Sequence, residues 1–228
     1  MKFLFYSLFI CYTTFCFAQA SATNPFEADL ALLIKRCNQN IQYATPKTIL
    51  KKANNSAAKL TEMAKEEDHW SCNYFCAYYT FIAYQHANKI TKEAYSNKLN
   101  NLFFRLERTS HTAAQKSECK TLKAYFLMQL IQDKAFYLHP KLVEITIKEL
   151  FEEALQHNPK NPRTVYLYQF FKTTDIKSRE LSTAFCKDIM LANQYFKEEA
   201  QNENSHLFPK WGAKDIQPYI KNCSVPNK

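Results

Sequence analysis

The sequence predicts an all-α protein: a stack of helical hairpins, a short right-handed α-solenoid, closed by a C-terminal capping helix. Three observations lead there. The 228 residues include one glycine, Gly212, against eight prolines. A β-sandwich or an α/β fold of this size needs many turn glycines, and a phosphate-cradling glycine loop is impossible with one. The prolines mostly fall between segments whose apolar residues recur at helical spacing. Finally, residues 150–166 read as the end of one helix, a tight Asn-Pro turn and the start of the next.

That last stretch carries the pattern of the second half of a tetratricopeptide repeat, in Phe151, Ala154 and Pro159. Phe151 is placed as a knob for the neighbouring helix and Ala154 permits close approach. Pro159 stops the helix, because it has no N–H to donate. Pro162 costs little in the first turn of the next helix, where its missing N–H would be unpaired anyway.

Met1-Lys2 and the apolar run from Phe3 to Tyr12, followed by Ala18-Gln19-Ala20, have the form of a secretory signal with an A-x-A cleavage site. The expectation is a cleaved signal over residues 1–20 and a single helical-repeat domain over 21–228. No later run is long enough to cross a membrane, so the mature chain is expected in the periplasm or outside the cell. The net charge is +9, but the basic residues are scattered. That reads as a solvated face, and nucleic acid is not an expected partner.

Pro25 opens a first helix with Leu30, Leu33, Ile34 and Cys37 at helical spacing, ending before Thr45-Pro46. A second carries Ile49, Leu50, Ala53, Ala57, Leu60 and Ala64. The third, from about His69 to Ala87, has Trp70, Tyr74, Ala77 and Phe81 on one side and Cys72, Cys76 and Tyr79 nearly opposite. A helix apolar on two faces is sandwiched between neighbours. A fourth starts near Thr91 and holds Leu99, Leu102, Phe103 and Leu106. The fifth contains Leu122, Tyr125, Phe126, Met128, Leu130 and Ile131 and is expected to end near Leu138. The sixth runs from Lys141 to His157 with Val143, Ile147, Leu150 and Ala154 along one side, and the seventh from Pro162 to about Phe171. An eighth follows Thr173-Thr174-Asp175 and presents Phe185, Ile189, Ala192 and Phe196. After a polar loop and Phe208-Pro209-Lys210-Trp211-Gly212, the last helix carries Ile216, Tyr219, Ile220 and Cys223 as a narrow capping face. Aromatic-rich helix starts recur at about 45 residues, longer than the standard ~34. Trp211 is expected in the groove between the seventh and eighth helices, with Gly212 supplying backbone freedom at the turn.

Asp68-His69-Trp70 with Tyr74-Phe75, Asn158-Pro159-Lys160-Asn161-Pro162-Arg163 with Val165-Tyr166-Leu167, and Pro209-Lys210-Trp211-Gly212 with Cys223 together resemble small exported tetratricopeptide-like proteins of Bacteroidetes. The likeness runs from about Phe26 to Cys223. Such proteins usually carry a glycine-rich loop after the seventh helix, and Thr173-Thr174-Asp175-Ile176-Lys177 has none. The resemblance implies the helical fold and export, and it is tied to no activity.

His69, Cys72 and Cys76 lie at i, i+3 and i+7 of one helix, a spacing that can present thiolate and imidazole ligands to zinc or a soft metal. With no fourth ligand in evidence, the simpler reading makes both cysteines small core residues. Beyond the leader stand Cys37, Cys72, Cys76, Cys119, Cys186 and Cys223. Their even number permits disulfides in an exported protein, with the pairing left open. His86, His111, His139, His157 and His206 are dispersed, and no elbow or carboxylate pair stands out. No catalysis and no cofactor are expected. The leading expectation is a non-enzymatic scaffold holding a protein or peptide partner. The alternative is a small-ligand or metal carrier on the His69/Cys72/Cys76 face.

Overall fold

A computed structural model describes residues 24–134, 139–173, 182–201 and 207–223. The expected signal peptide, the Thr174-Asp175-Ile176-Lys177 joint and most of the polar loop before Phe208 lie outside them. The described residues form nine helices and no strand: α1 Pro25–Gln42, α2 Ile49–Glu66, α3 Trp70–His86, α4 Lys89–Thr109, α5 Ala113–Gln132, α6 Pro140–His157, α7 Pro162–Thr173, α8 Thr183–Ala200 and α9 Gln217–Cys223. The fold is all-α.

Local chemistry sets most helix ends. Asn24 Oδ1 accepts from Phe26 N (3.1 Å) ahead of Pro25 at the first helical position. Asn88 accepts from Thr91 N (3.0 Å), so α4 begins earlier than Thr91 suggested. Thr112 and Gln115 form a reciprocal capping box at the start of α5. Helix α5 stops at Gln132 rather than near Leu138, because Lys134 takes a left-handed backbone (φ 49°) that no α-helix continues. Helix α6 ends at His157, before the exposed Pro159, and Phe151 packs across to Tyr168 (5.3 Å between ring centroids) and Phe171 (6.2 Å) of α7.

The packing has two rows. Helix α3 touches α5 and α5 touches α7, while α4, α6 and α8 each pack on the preceding helix; α2 covers α3 and carries α1. Two apolar clusters result, one around α1–α5 and one around α5–α8. Helix α3 is central, with every residue from Trp70 to Tyr84 buried except Tyr78. Its large polar-tipped rings find partners: Trp70 Nε1 donates to Ser110 Oγ (3.0 Å), Tyr79 to Asn38 Oδ1 (2.7 Å) and Tyr84 to Asp133 Oδ2 (2.8 Å).

The C-terminal segment departs from expectation. Trp211 is not in the groove between α7 and α8. It packs against both apolar clusters, beside Tyr78 of α3 and Tyr125 of α5. Gly212 occupies the α7–α8 groove instead, against Tyr166 and Phe196. Residues 207–216 therefore run across the α3–α5–α7 row as an arm, with Phe208 on Trp70 (5.0 Å) at one end and fully buried Ile216 at the other. Ile216 lies in the turn before α9, whose own residues are at most half-buried. The arm goes this way because buried Arg163 draws the Pro209 carbonyl inward, and Gly212 alone can take φ +98° against those rings.

Candidate functional site

Tyr74 and Tyr78 sit one turn apart on α3, on the side that meets α5 and the arm. Tyr78 and Trp211 stack nearly parallel, with centroids 5.5 Å apart and planes 12° apart. Tyr125 of α5 lies 5.9 Å from Trp211 at 21°. All three rings are half-buried. Burial nevertheless pushes the Tyr78 and Tyr125 hydroxyls above the ordinary tyrosine range, and Tyr125 is bonded to the Gln85 side chain. The three rings therefore form one cluster that is largely withdrawn from water yet keeps some exposure. Asp215, four residues beyond Trp211, is exposed. Its carboxyl is also pushed up by desolvation, and its charge is felt by Tyr78, Tyr125 and Tyr166.

Beneath the rings lies a buried ionic network. The fully buried Arg163 guanidinium donates to Glu118 Oε1 (3.1 Å), to Glu199 Oε1 and Oε2 (2.9 and 2.8 Å) and to the Pro209 carbonyl. Phe196 and Trp211 each stand 5.5 Å from its charge. Flanking carboxylates hold Arg163 firmly charged. The Tyr74 hydroxyl donates to Glu118 Oε2 (3.2 Å) and accepts from Trp211 Nε1 (2.9 Å), joining the network to the stacked rings. Asn161 places Arg163 at the start of α7, its Oδ1 accepting from Arg163 N (3.0 Å) and Thr164 N (3.3 Å).

Several residues singled out by sequence are core or turn elements. Trp70, Tyr74, Phe151, Ala154 and Pro162 are buried, and Pro159 is exposed in the turn. His69, Cys72 and Cys76 do not form a ligand set. Among the described residues no group of three His, Cys, Asp or Glu side chains could hold a metal ion. The physical reason is local. His69 caps α3, its Nδ1 accepting from Ser71 N (3.2 Å), and its ring faces Phe26 and Glu27 at the surface. Cys72 and Cys76 are buried; Cys76 sits against Thr61 Oγ1 (3.2 Å) of α2, and desolvation pushes the Cys72 thiol up to about 12. Cys186 and Cys223 are joined, tying α8 to α9, while Cys37, Cys72, Cys76 and Cys119 are free and buried.

Sequence reasoning had Tyr125 as core and did not single out Tyr78 or Asp215. The available signal was Tyr78, one turn beyond Tyr74, a large polar-tipped ring in a helix otherwise filled on both faces. The burial of Arg163 and Glu118 had none, since each reads as an ordinary surface charge.

No known protein family matches the chain. No curated protein matches it either. Among solved structures, the chain is similar to the HusA haemophore from Porphyromonas gingivalis, with a TM-score of 0.68 and 14% identity over 92% of this chain and 96% of that one. Identity this low leaves the likeness as one of fold.

Proposed function

We propose that the chain is an exported, non-catalytic carrier of a small flat ligand, a haem-type macrocycle, taken up on the rings of Tyr78, Tyr125 and Trp211. The observation that carries this is the cluster of three near-parallel, half-buried aromatic rings, which we take as the wall of a ligand recess. Aromatic faces suit a planar π-system, and clustered rings that keep some exposure offer one. The fold it shares with a haemophore favours the same reading. It keeps the carrier expectation but moves it from the His69/Cys72/Cys76 face to the arm.

Stacking on the aromatic faces is the contact the proposal assigns to these residues. Titrating the mature protein with haemin at moderate salt, followed by tryptophan quenching and the haem absorbance band, tests it. Saturable binding at micromolar concentration or tighter is expected, with iron-free protoporphyrin competing and Trp211→Leu weakening uptake at least about tenfold. Absence of saturable uptake would sink the proposal.

A protein partner stays as a second reading because of α6, where Leu142 is 64% and Ile145 53% exposed one turn apart. Pull-down from envelope extract, repeated with Leu142→Lys/Ile145→Lys, tests that reading. A partner retained by the double variant would speak against it.

A further inference from the structure

We propose that Tyr74 is the positioning residue of the ligand recess, fixing the in-plane orientation of the Trp211 indole through its hydroxyl. The inference rests on the ring-stacking site proposed above and adds a residue that touches no ligand. Trp211 stands outside any helix, so no helical backbone restricts its side chain. Its stacks on Tyr78 and Tyr125, at 12° and 21°, fix the plane of the indole. Stacking is favourable over a range of centroid separations, so by itself it leaves the indole some freedom to turn within that plane. A directional contact is needed to stop the sliding. The described structure provides it at 2.9 Å, where indole Nε1 donates to the Tyr74 hydroxyl.

That hydroxyl is itself held. It donates to Glu118 Oε2 (3.2 Å), and Glu118 Oε1 accepts from Arg163, which also grips Glu199 and the Pro209 carbonyl two residues before Trp211. Backbone and indole of the arm are thus referred to one buried network. Tyr74, Glu118 and Arg163 are buried, and hydrogen bonds among them are stronger than they would be in water.

Tyr74→Phe removes only the hydroxyl. It keeps the ring contacts with Trp70 (5.0 Å) and Phe75 (5.4 Å), so the fold is retained. The chain has two tryptophans, and fluorotryptophan labelling followed by fluorine NMR reads each separately. In Tyr74→Phe the Trp211 resonance is expected to shift or broaden while that of Trp70 stays, and the haemin dissociation constant to rise about tenfold. Tyr84→Phe, which removes a hydroxyl bonded to Asp133 near the other end of α3, should leave both unchanged. A general loss of packing would move both resonances and both variants alike. An unmoved Trp211 resonance overturns the proposal. So does a moved resonance with unaltered haemin affinity in a protein whose wild type binds. If the wild type takes up no haemin but the resonance still moves, the positioning role stands and the choice of cargo falls.

Discussion

Gly212 is the point where one residue decides the course of the arm. Its φ of +98° is strained for any L side chain, and a Cβ there would meet Phe196 Cζ at 2.9 Å and the Tyr166 ring and hydroxyl at 3.1 Å. Gly212→Ala is therefore expected to lower unfolding free energy by roughly 1–3 kcal/mol in urea denaturation. Trp211 and Phe151 make an instructive pair. Phe151 is fully buried, so Phe151→Ala should cost about 3–5 kcal/mol. Trp211 is half-buried, and the transfer term scales with the area removed from water, so Trp211→Ala should cost roughly 1.5–3 kcal/mol. Equal losses in the two variants would make Trp211 a core residue and remove the ground for a surface site. Sequence alone assigned both to the core, because an aromatic at helical or turn spacing looks the same whether its last face is covered or open.

Helix α9 shows what an element needs when its own burial is small. It has no fully buried residue; Tyr219 lies 4.8 Å from Phe170 of α7 and 5.8 Å from Phe185 of α8, and the Cys186–Cys223 bond ties it to α8. That bond closes a separation of 37 residues. Removing it with Cys223→Ser should cost about 2–4 kcal/mol, by restoring freedom to the unfolded chain. The other cysteines should stay silent. Burial pushes Cys72 and Cys119 up to about 12 and raises Cys37, and the thiolate is the reactive form. Mild reduction of the folded protein followed by iodoacetamide and mass measurement should therefore add label at Cys186 and Cys223 alone. Label at Cys72 would contradict the packing of α2 on α3. The starts at Pro25 and Pro162 were readable in advance, because proline in a first helical turn acts within that turn. The end of α5 was not, since the left-handed residue there is Lys134 rather than glycine.

At the scale of the molecule, buried tyrosines dominate the response to pH. Burial raises Tyr74, Tyr79 and Tyr166 above the ordinary value of 10.0. Below about pH 10 these hydroxyls are neutral in folded and unfolded chains alike, and their contribution to stability is intact. Above it the unfolded chain releases protons that the folded chain retains, so stability falls by up to about 1.4 kcal/mol per pH unit for each such tyrosine. Loss of helix in circular dichroism and the rise of tyrosinate absorbance should thus coincide in one alkaline transition. Tyrosinate appearing well before helix is lost, from more residues than the exposed ones, would show that these hydroxyls are not buried.

The sequence by itself determined that the chain is helical, where most helices begin, and which of their faces are apolar. Those properties follow from the single glycine, the caps and a period that repeats within a few residues. Only the tertiary structure decided that the arm crosses the α3–α5–α7 row instead of closing the last hairpin. It also decided that Tyr78 and Tyr125 both stack on Trp211 while His69, Cys72 and Cys76 do not meet as ligands. The difference is one of range. Trp211 Nε1 reaches Tyr74 across 137 residues and Arg163 reaches Glu118 across 45, and no local pattern encodes a contact between residues so far apart. A buried arginine looks like a surface one until its carboxylates arrive from other helices, and an aromatic looks like core until the helix that would cover it is found elsewhere.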